Sequence, residues 1–174
     1  MAILFLICGL PGAGKTTLAR QLEAMHAALR LCPDEWIAPL LLDATNIAEL
    51  DRLRSPVEAL QWEMALRVLT LGLNVVLEWG FWSRAERDRY RAKAEAIGAQ
   101  VELHYLDVSR DDLWARLSKR NANLPQGTFV VSEDQLDLWA SWFEVPTADE
   151  LALNNRTAAP PNRVAHAKRS AQKF

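Results

Sequence analysis

Apolar and polar positions along the chain switch between a period of two and a period near 3.6. Ala2 to Cys8 is an almost unbroken apolar run of strand length, which predicts a strand buried on both faces. From Thr17 to Leu29 the apolar residues recur at helical spacing, with Leu18, Leu22, Met25 and Leu29 on one stripe. Arg30-Leu31-Cys32 predicts a short strand that Pro33 ends, and Asp34 to Leu42 a short helix bearing Trp36. Asp43 to Arg54 predicts a loop or a broken helix. Ser55-Pro56-Val57-Glu58 combines a capping serine, a proline at the first helical position and a glutamate closing the capping box. A helix is therefore expected from there to about Leu71, stopped by Gly72.

The second half repeats the alternation. Leu73 to Glu78 predicts a buried strand, and Ser83-Arg84-Ala85-Glu86 opens a charged helix to about Ile97, ended by Gly98. Val101 to Asp107 alternates as a strand near an edge does. Ser109 to Asp112 caps a helix carrying Leu113, Arg116, Leu117 and Arg120. Asn121 to Val131 predicts a loop containing Pro125 and Gly127, and a last helix begins at Ser132 to Gln135 and runs through Phe143. Leu151 to Leu153 is the only remnant of a fifth strand. Asn154 to Phe174 is polar, basic and aperiodic, so it is expected to be disordered or loosely attached. Strands alternating with helices predict an α/β fold with a parallel sheet and helices on both faces. The expected organisation is one domain over residues 1–153 with a tail over 154–174.

Between the first strand and the first helix stands Gly9-Leu10-Pro11-Gly12-Ala13-Gly14-Lys15-Thr16. This is G-x-x-x-x-G-K-[ST] in the strand, loop and helix context that gives the pattern its meaning. Glycines there allow positive φ and remove side chains, so successive backbone N–H groups can turn inward around an anion. A helix starting near Lys15 adds free N–H groups and a positive dipole end. The expected nucleotide contacts are Gly9, Pro11, Gly12, Ala13, Gly14, Lys15, Thr16 and Thr17, with Lys15 reaching the β- and γ-phosphates and the Thr16 hydroxyl on Mg²⁺.

In an open parallel sheet, chemistry gathers at the carboxyl ends of the strands. Those ends carry Asp34, Glu78 and Asp107. Asp34 is the expected acceptor base, facing the γ-phosphate, with the helix N-cap as its alternative role. Glu78 ends an apolar strand, where a carboxylate needs a compensating cation; Mg²⁺ meets that need, and so does a nearby arginine. Asp107 ranks behind it, since a turn explains it. Arg116 and Arg120 share a helix face and lead into a lid expected at about 120–131, where they can stabilise a transferring phosphoryl group. Trp36, Trp79, Phe81 and Trp82 fall near strand ends and are candidates to line an acceptor pocket. Arg84 and Arg87 are candidates for an anionic acceptor group. His26, His104 and His166 are scattered and support no metal site.

Composition bounds the rest. With 174 residues, half of them hydrophobic, the chain is an ordinary globular domain. Its net charge of −2 conceals an asymmetry: five of the 20 basic residues and none of the 22 acids lie beyond Glu150, so the body carries −7. An acidic body argues against nucleic acid as partner. The first apolar run is too short to span a bilayer and lacks a preceding basic region, so the expected setting is cytoplasmic, without membrane contact.

GLPGAGKTTLAR, CPDEW, VVLEWGFWSRAERDR, and ELHYLD followed by LWARLSKRNANLPQGTF together resemble the bacterial P-loop ATP-binding proteins of the zeta-toxin, chloramphenicol-phosphotransferase and polynucleotide-kinase-like group, small proteins of AAA type. The resemblance spans about Ile3 to Leu151. It implies an adenylate-kinase-like fold with strand order 2-3-1-4 and a possible fifth strand, ATP with Mg²⁺, and transfer of the γ-phosphate to a hydroxyl. Carried over by residue, it implies Lys15 and Thr16 at the phosphates and metal, Asp34 as base and Arg116 and Arg120 as lid arginines. Glu78 stands where many relatives have Asp. A small-molecule hydroxyl is the expected acceptor; the alternatives are a polynucleotide 5′-hydroxyl and a nucleotide-dependent switch with no acceptor. In that strand order another strand separates Cys8 from Cys32, about 9–10 Å apart by inter-strand spacing, so both are expected as free core thiols.

Overall fold

A computed structural model describes residues 1–41, 47–125 and 128–155. β1 (Ile3–Cys8) lies inside a four-stranded parallel sheet, paired with β3 (Val75–Gly80) on one side and β4 (Gln100–Tyr105) on the other. β2 (Leu29–Leu31) pairs with β3 at one edge, giving the order β2-β3-β1-β4. The register Leu4↔Val75 and Leu4↔Val101 keeps side chains of equal parity on one face. On that face Leu4, Leu6, Cys8, Leu77 and Trp79 meet Trp62, Ala65 and Leu69 of α3 (Ile47–Thr70) and Tyr90 and Ala94 of α4 (Arg84–Glu95). On the other, Phe5, Ile7 and Val76 meet Ala19 and Leu22 of α1 (Lys15–His26). Helices on both faces explain why β1 and β3 are apolar at nearly every position.

Several boundaries differ from the sequence reading. α1 stops at His26 because Ala27 turns left-handed (φ 47) and Leu29 joins the sheet beside Val75. Asn74 stabilises that exit by donating to the His26 carbonyl at 2.7 Å while accepting from the Ile3 N–H at 2.9 Å. α2 is short (Pro33–Ile37) and passes into a 3₁₀ turn over Ala38–Leu40.

Where a loop or a broken helix is expected over Asp43 to Arg54, residues 47–54 are continuous helix; residues 43–46 lie outside the described ones. α3 runs without interruption through Ser55 and Pro56, and the capping box there caps nothing. An interior proline costs roughly 3 kcal/mol. Leu50 and Val57 are buried against Ile37 and Phe129, each contributing about 1.5–3 kcal/mol, and Pro56 is on the exposed side, so packing outweighs the broken turn.

The serine caps ahead of the later helices are as expected. Ser83 accepts from the Glu86 N–H, Ser109 does so from Asp112 before α5 (Arg110–Ala122), and Ser132 forms a full capping box before α6 (Glu133–Trp142). No fifth strand forms among the described residues. Leu151 and Ala152 close α7 (Ala148–Ala152), and Leu153–Asn155 is a 3₁₀ turn. The Asn154 amide takes the Leu103 N–H at 2.9 Å and gives back to its carbonyl at 2.8 Å, occupying the β4 edge as a partner strand would.

Cys8 and Cys32 are both free and buried. Burial pushes each thiol up to about 12, so neither is a nucleophile. Among the described residues no helix is long and apolar enough to cross a membrane.

Candidate active site

The loop after β1 is anchored at its start, where the Gly9 N–H donates to the Gly80 carbonyl at 3.0 Å and so ties the loop to the end of β3. Gly14 caps α1 in a left-handed conformation (φ 101) with no side-chain cap, which leaves the first helical amides for an anion. Gly12 has a further role: a Cβ there would lie 3.0 Å from Leu117 Cγ and 3.1 Å from the Leu113 carbonyl oxygen, at φ +84. α5 therefore rests directly on the phosphate loop. Lys15 arches over the loop and donates to the Leu10 carbonyl at 3.0 Å. Burial lowers its pKa, and Asp34 and Glu78 act against that shift.

Three residues meet on the β3 side. The Thr16 hydroxyl donates to Glu78 Oε1, while Arg30 Nη1 donates to Glu78 Oε2 at 2.7 Å. Glu78 is almost fully buried, and it is Arg30 that compensates its charge. A hydroxyl with a carboxylate is the hard oxygen set that Mg²⁺ takes, and Thr16 and Glu78 would hold it with phosphate oxygens. No group of three His, Cys, Asp or Glu suited to a metal occurs among the described residues, so protein groups alone do not complete such a site.

Across the loop, Asp34 stands in the first turn of α2, and Arg54 of α3 donates to its Oδ1 at 2.7 Å. Its charge acts on both Lys15 and Arg120. Burial works against the Arg54 charge, yet Asp34 and Glu58 hold its pKa above the usual value. Glu58, one turn on, is pushed up to about 7 by burial, with Arg54 opposing and Glu86 adding to the rise.

Arg116 reaches the Ala13 carbonyl at 3.4 Å, and Arg120 donates from Nη2 to the Phe129 carbonyl at 2.9 Å. Among the described residues Arg120 Nε is buried without a partner, and burial lowers the residue's pKa against the pull of Asp34. Arg116 borders the loop. Of the expected lid, residues 126 and 127 lie outside the described ones.

Of the aromatic and arginine candidates, Trp79, Arg84 and Arg87 are engaged away from the loop. Trp79 lies on the opposite face of β3 from Glu78, stacked on Phe81 and donating to Gln61 Oε1 at 3.0 Å, as core. Trp82 packs on Trp139, and Arg84 pairs on the surface with Asp149 at 2.8 Å. Arg87 is buried, with Nε 2.6 Å from Glu150 Oε2. Trp36 is half-buried and packs against the core beside α3. Asp107 is exposed and accepts from the Tyr105 hydroxyl at 3.2 Å. It lines a cleft of about 240 Å³ with Leu10, Tyr105, Phe143 and Val145.

Sequence reasoning missed Arg30 and Arg54. The signal for Arg30 was a charge inside an otherwise apolar three-residue strand. For Arg54 it was Glu58 four residues on, a helical ion-pair spacing.

A parallel sheet in this order, with a glycine loop wrapped over the N-terminus of α1, defines a P-loop nucleotide-binding fold. Residues 4–146 match the AAA domain family, and the chain belongs to it. Solved structures share the fold. A provisionally named kinase of Chloroflexus aurantiacus J-10-fl superimposes with a TM-score of 0.67 at 19% identity, over 84% of this chain and 82% of that one. Kti12 of Chaetomium thermophilum, in complex with ADP-AlF3, gives 0.62 at 18% identity, over 83% and 81%. A gluconokinase of Sinorhizobium meliloti 1021 gives 0.58 at 18% identity, over 88% and 92%. No curated protein matches the sequence significantly.

Proposed function

We propose that this protein is a Mg²⁺-dependent phosphotransferase that moves the γ-phosphate of ATP to a hydroxyl of a small molecule, with Asp34 as the acceptor base. The observation that carries the reading is the position of Asp34: its carboxylate is held by Arg54 and acts electrostatically on Lys15 of the loop and on Arg120 of α5. Loop amides and Lys15 bind the β- and γ-phosphates. Arg116 and Arg120 neutralise charge on the transferring group, and Asp34 orients the acceptor hydroxyl and takes its proton. Thr16 and Glu78 would hold Mg²⁺, which would supply Lewis-acid charge stabilisation to the phosphates. The gluconokinase neighbour supports a small hydroxyl compound as acceptor. The body's charge of −7 supports it over a polynucleotide end.

The test is a screen of sugars, sugar acids, amino alcohols and nucleosides with radiolabelled ATP, repeated with Asp34→Asn. Transfer should fall by about a hundredfold or more, the scale of a lost general base, with ATP binding near normal. A variant that phosphorylates the acceptor at the native rate removes the base role. ATP consumption that stays flat across every compound class favours the switch.

A further inference from the structure

Arg30 sits on the edge strand β2 with its side chain only 10% exposed, and three carboxylates from three elements converge on it. Nη1 holds Glu78 of β3 at 2.7 Å, Nη2 holds both oxygens of Glu35 of α2 at 2.7 Å, and Nε lies 3.5 Å from Glu23 of α1. Glu78 has its other oxygen on the Thr16 hydroxyl. One guanidinium is thus the shared counter-cation of these three acids.

We propose that Arg30 is a positioning residue that makes divalent-cation binding at Thr16 and Glu78 depend on the nucleotide: it is a built-in counter-cation for Glu23, Glu35 and Glu78, so no metal ion settles there until phosphate oxygens arrive. This rests on the nucleotide-binding reading above.

A carboxylate as buried as Glu78 is costly without a counter-charge, so with Arg30 removed the place becomes attractive to another cation. Arginine cannot lose its proton in a protein, so its occupancy of that place is permanent. Its planar fork also aims the two Glu78 oxygens apart, one at itself and one at Thr16. Thr16, whose proton is engaged by Glu78, keeps its lone pairs for the metal. Mg²⁺ gives up its water reluctantly and binds through one or two protein oxygens plus substrate phosphates. With Glu78 already neutralised, the phosphates must supply the remaining negative charge. The same fork holds Glu35 next to Asp34, so the metal side and the acceptor helix share one anchor.

The experiment is a Mn²⁺ titration followed by the electron-paramagnetic-resonance signal of the free ion, with and without ADP, on the wild type, Arg30→Gln, Arg30→Lys and the double variant Arg30→Gln/Glu78→Gln. The wild type should retain Mn²⁺ only with ADP, above what ADP binds in solution. Arg30→Gln should bind Mn²⁺ without nucleotide about tenfold tighter or more, the scale of one unit charge removed at this separation. Without nucleotide, Arg30→Lys, which keeps the charge, and the double variant, which removes the carboxylate, should both resemble the wild type. A folded Arg30→Gln with wild-type Mn²⁺ affinity overturns the proposal. So does a wild type that holds Mn²⁺ equally well without ADP, a result independent of how the variants fold. A wild type that binds no ADP overturns the nucleotide reading instead, while the nucleotide-free arms still judge Arg30.

Discussion

Arg54 Nη2 and Asp34 Oδ1 lie 2.7 Å apart, joining the middle of α3 to the first turn of α2. The pair points the carboxylate of Asp34 in one direction without burying it, since both side chains are about one-third exposed. Phosphoryl transfer through a loose transition state demands an oriented acceptor more than a strong base, and in the proposed reaction this contact is what orients Asp34.

Arg54→Met should therefore lower turnover with an identified acceptor by about tenfold to a hundredfold, with ATP affinity unchanged. Combined with Asp34→Asn it should add little, because two residues acting as a unit are not additive. Steady-state kinetics of the three variants with ATP titrations check this. Losses that multiply would show that Arg54 acts independently of Asp34.

Gly12 is where the phosphate loop and α5 touch. Gly12→Ala places a methyl 3.0 Å from Leu117 Cγ and 3.1 Å from a backbone oxygen, at φ +84. The expected result is a loss of about 1–3 kcal/mol from overpacking and strain, together with loss of ATP binding as α5 is pushed off the loop. Thermal melts and an ATP titration check both parts. Among the described residues Gly14→Ala meets no atom within 4 Å, so its loss of stability should be only the cost of its backbone conformation.

Glu58 gives the fold a pH dependence of definite sign. Its folded pKa is raised by burial from 4.5 to about 7, so the unfolded chain ionises first. The native state binds more protons in that window, and stability falls as pH rises from about 4.5 through about 7, then levels off. Glu58→Gln should be more stable than the wild type above pH 7, by on the order of 1–3 kcal/mol. The gain should vanish below pH 4.5. Paired melts across that range check it, and a pH-independent difference would assign the effect to packing alone.

Asn154 closes the β4 edge with two hydrogen bonds to Leu103. Asn154→Ala should cost about 1–3 kcal/mol, since the Leu103 N–H and carbonyl lose their partners, and should increase association through the bared edge. Urea melts and light scattering measure the two effects. Asn154→Asp, which keeps an acceptor but not the donor, should fall between them.

Local chemistry made much of this protein legible from its residues in order. The glycine loop, the apolar runs of β1 and β3, and the serine caps at 83, 109 and 132 each depend on neighbours a few positions away, so spacing alone predicted them. Lys15 and Thr16 follow from the loop in the same way. Tertiary packing decided the rest. Burial of Leu50 and Val57 overrode the stop at Pro56, pairing with β3 took Leu29 out of α1, and the parity of β3 sent Trp79 into the core while Glu78 faced Thr16. Arg30 and Arg54 acquired partners 48 and 20 positions away, distances over which no periodicity in the chain carries information. Charges buried or half-buried in a fold must find opposite charges in space, and only the folded arrangement determines which ones they meet.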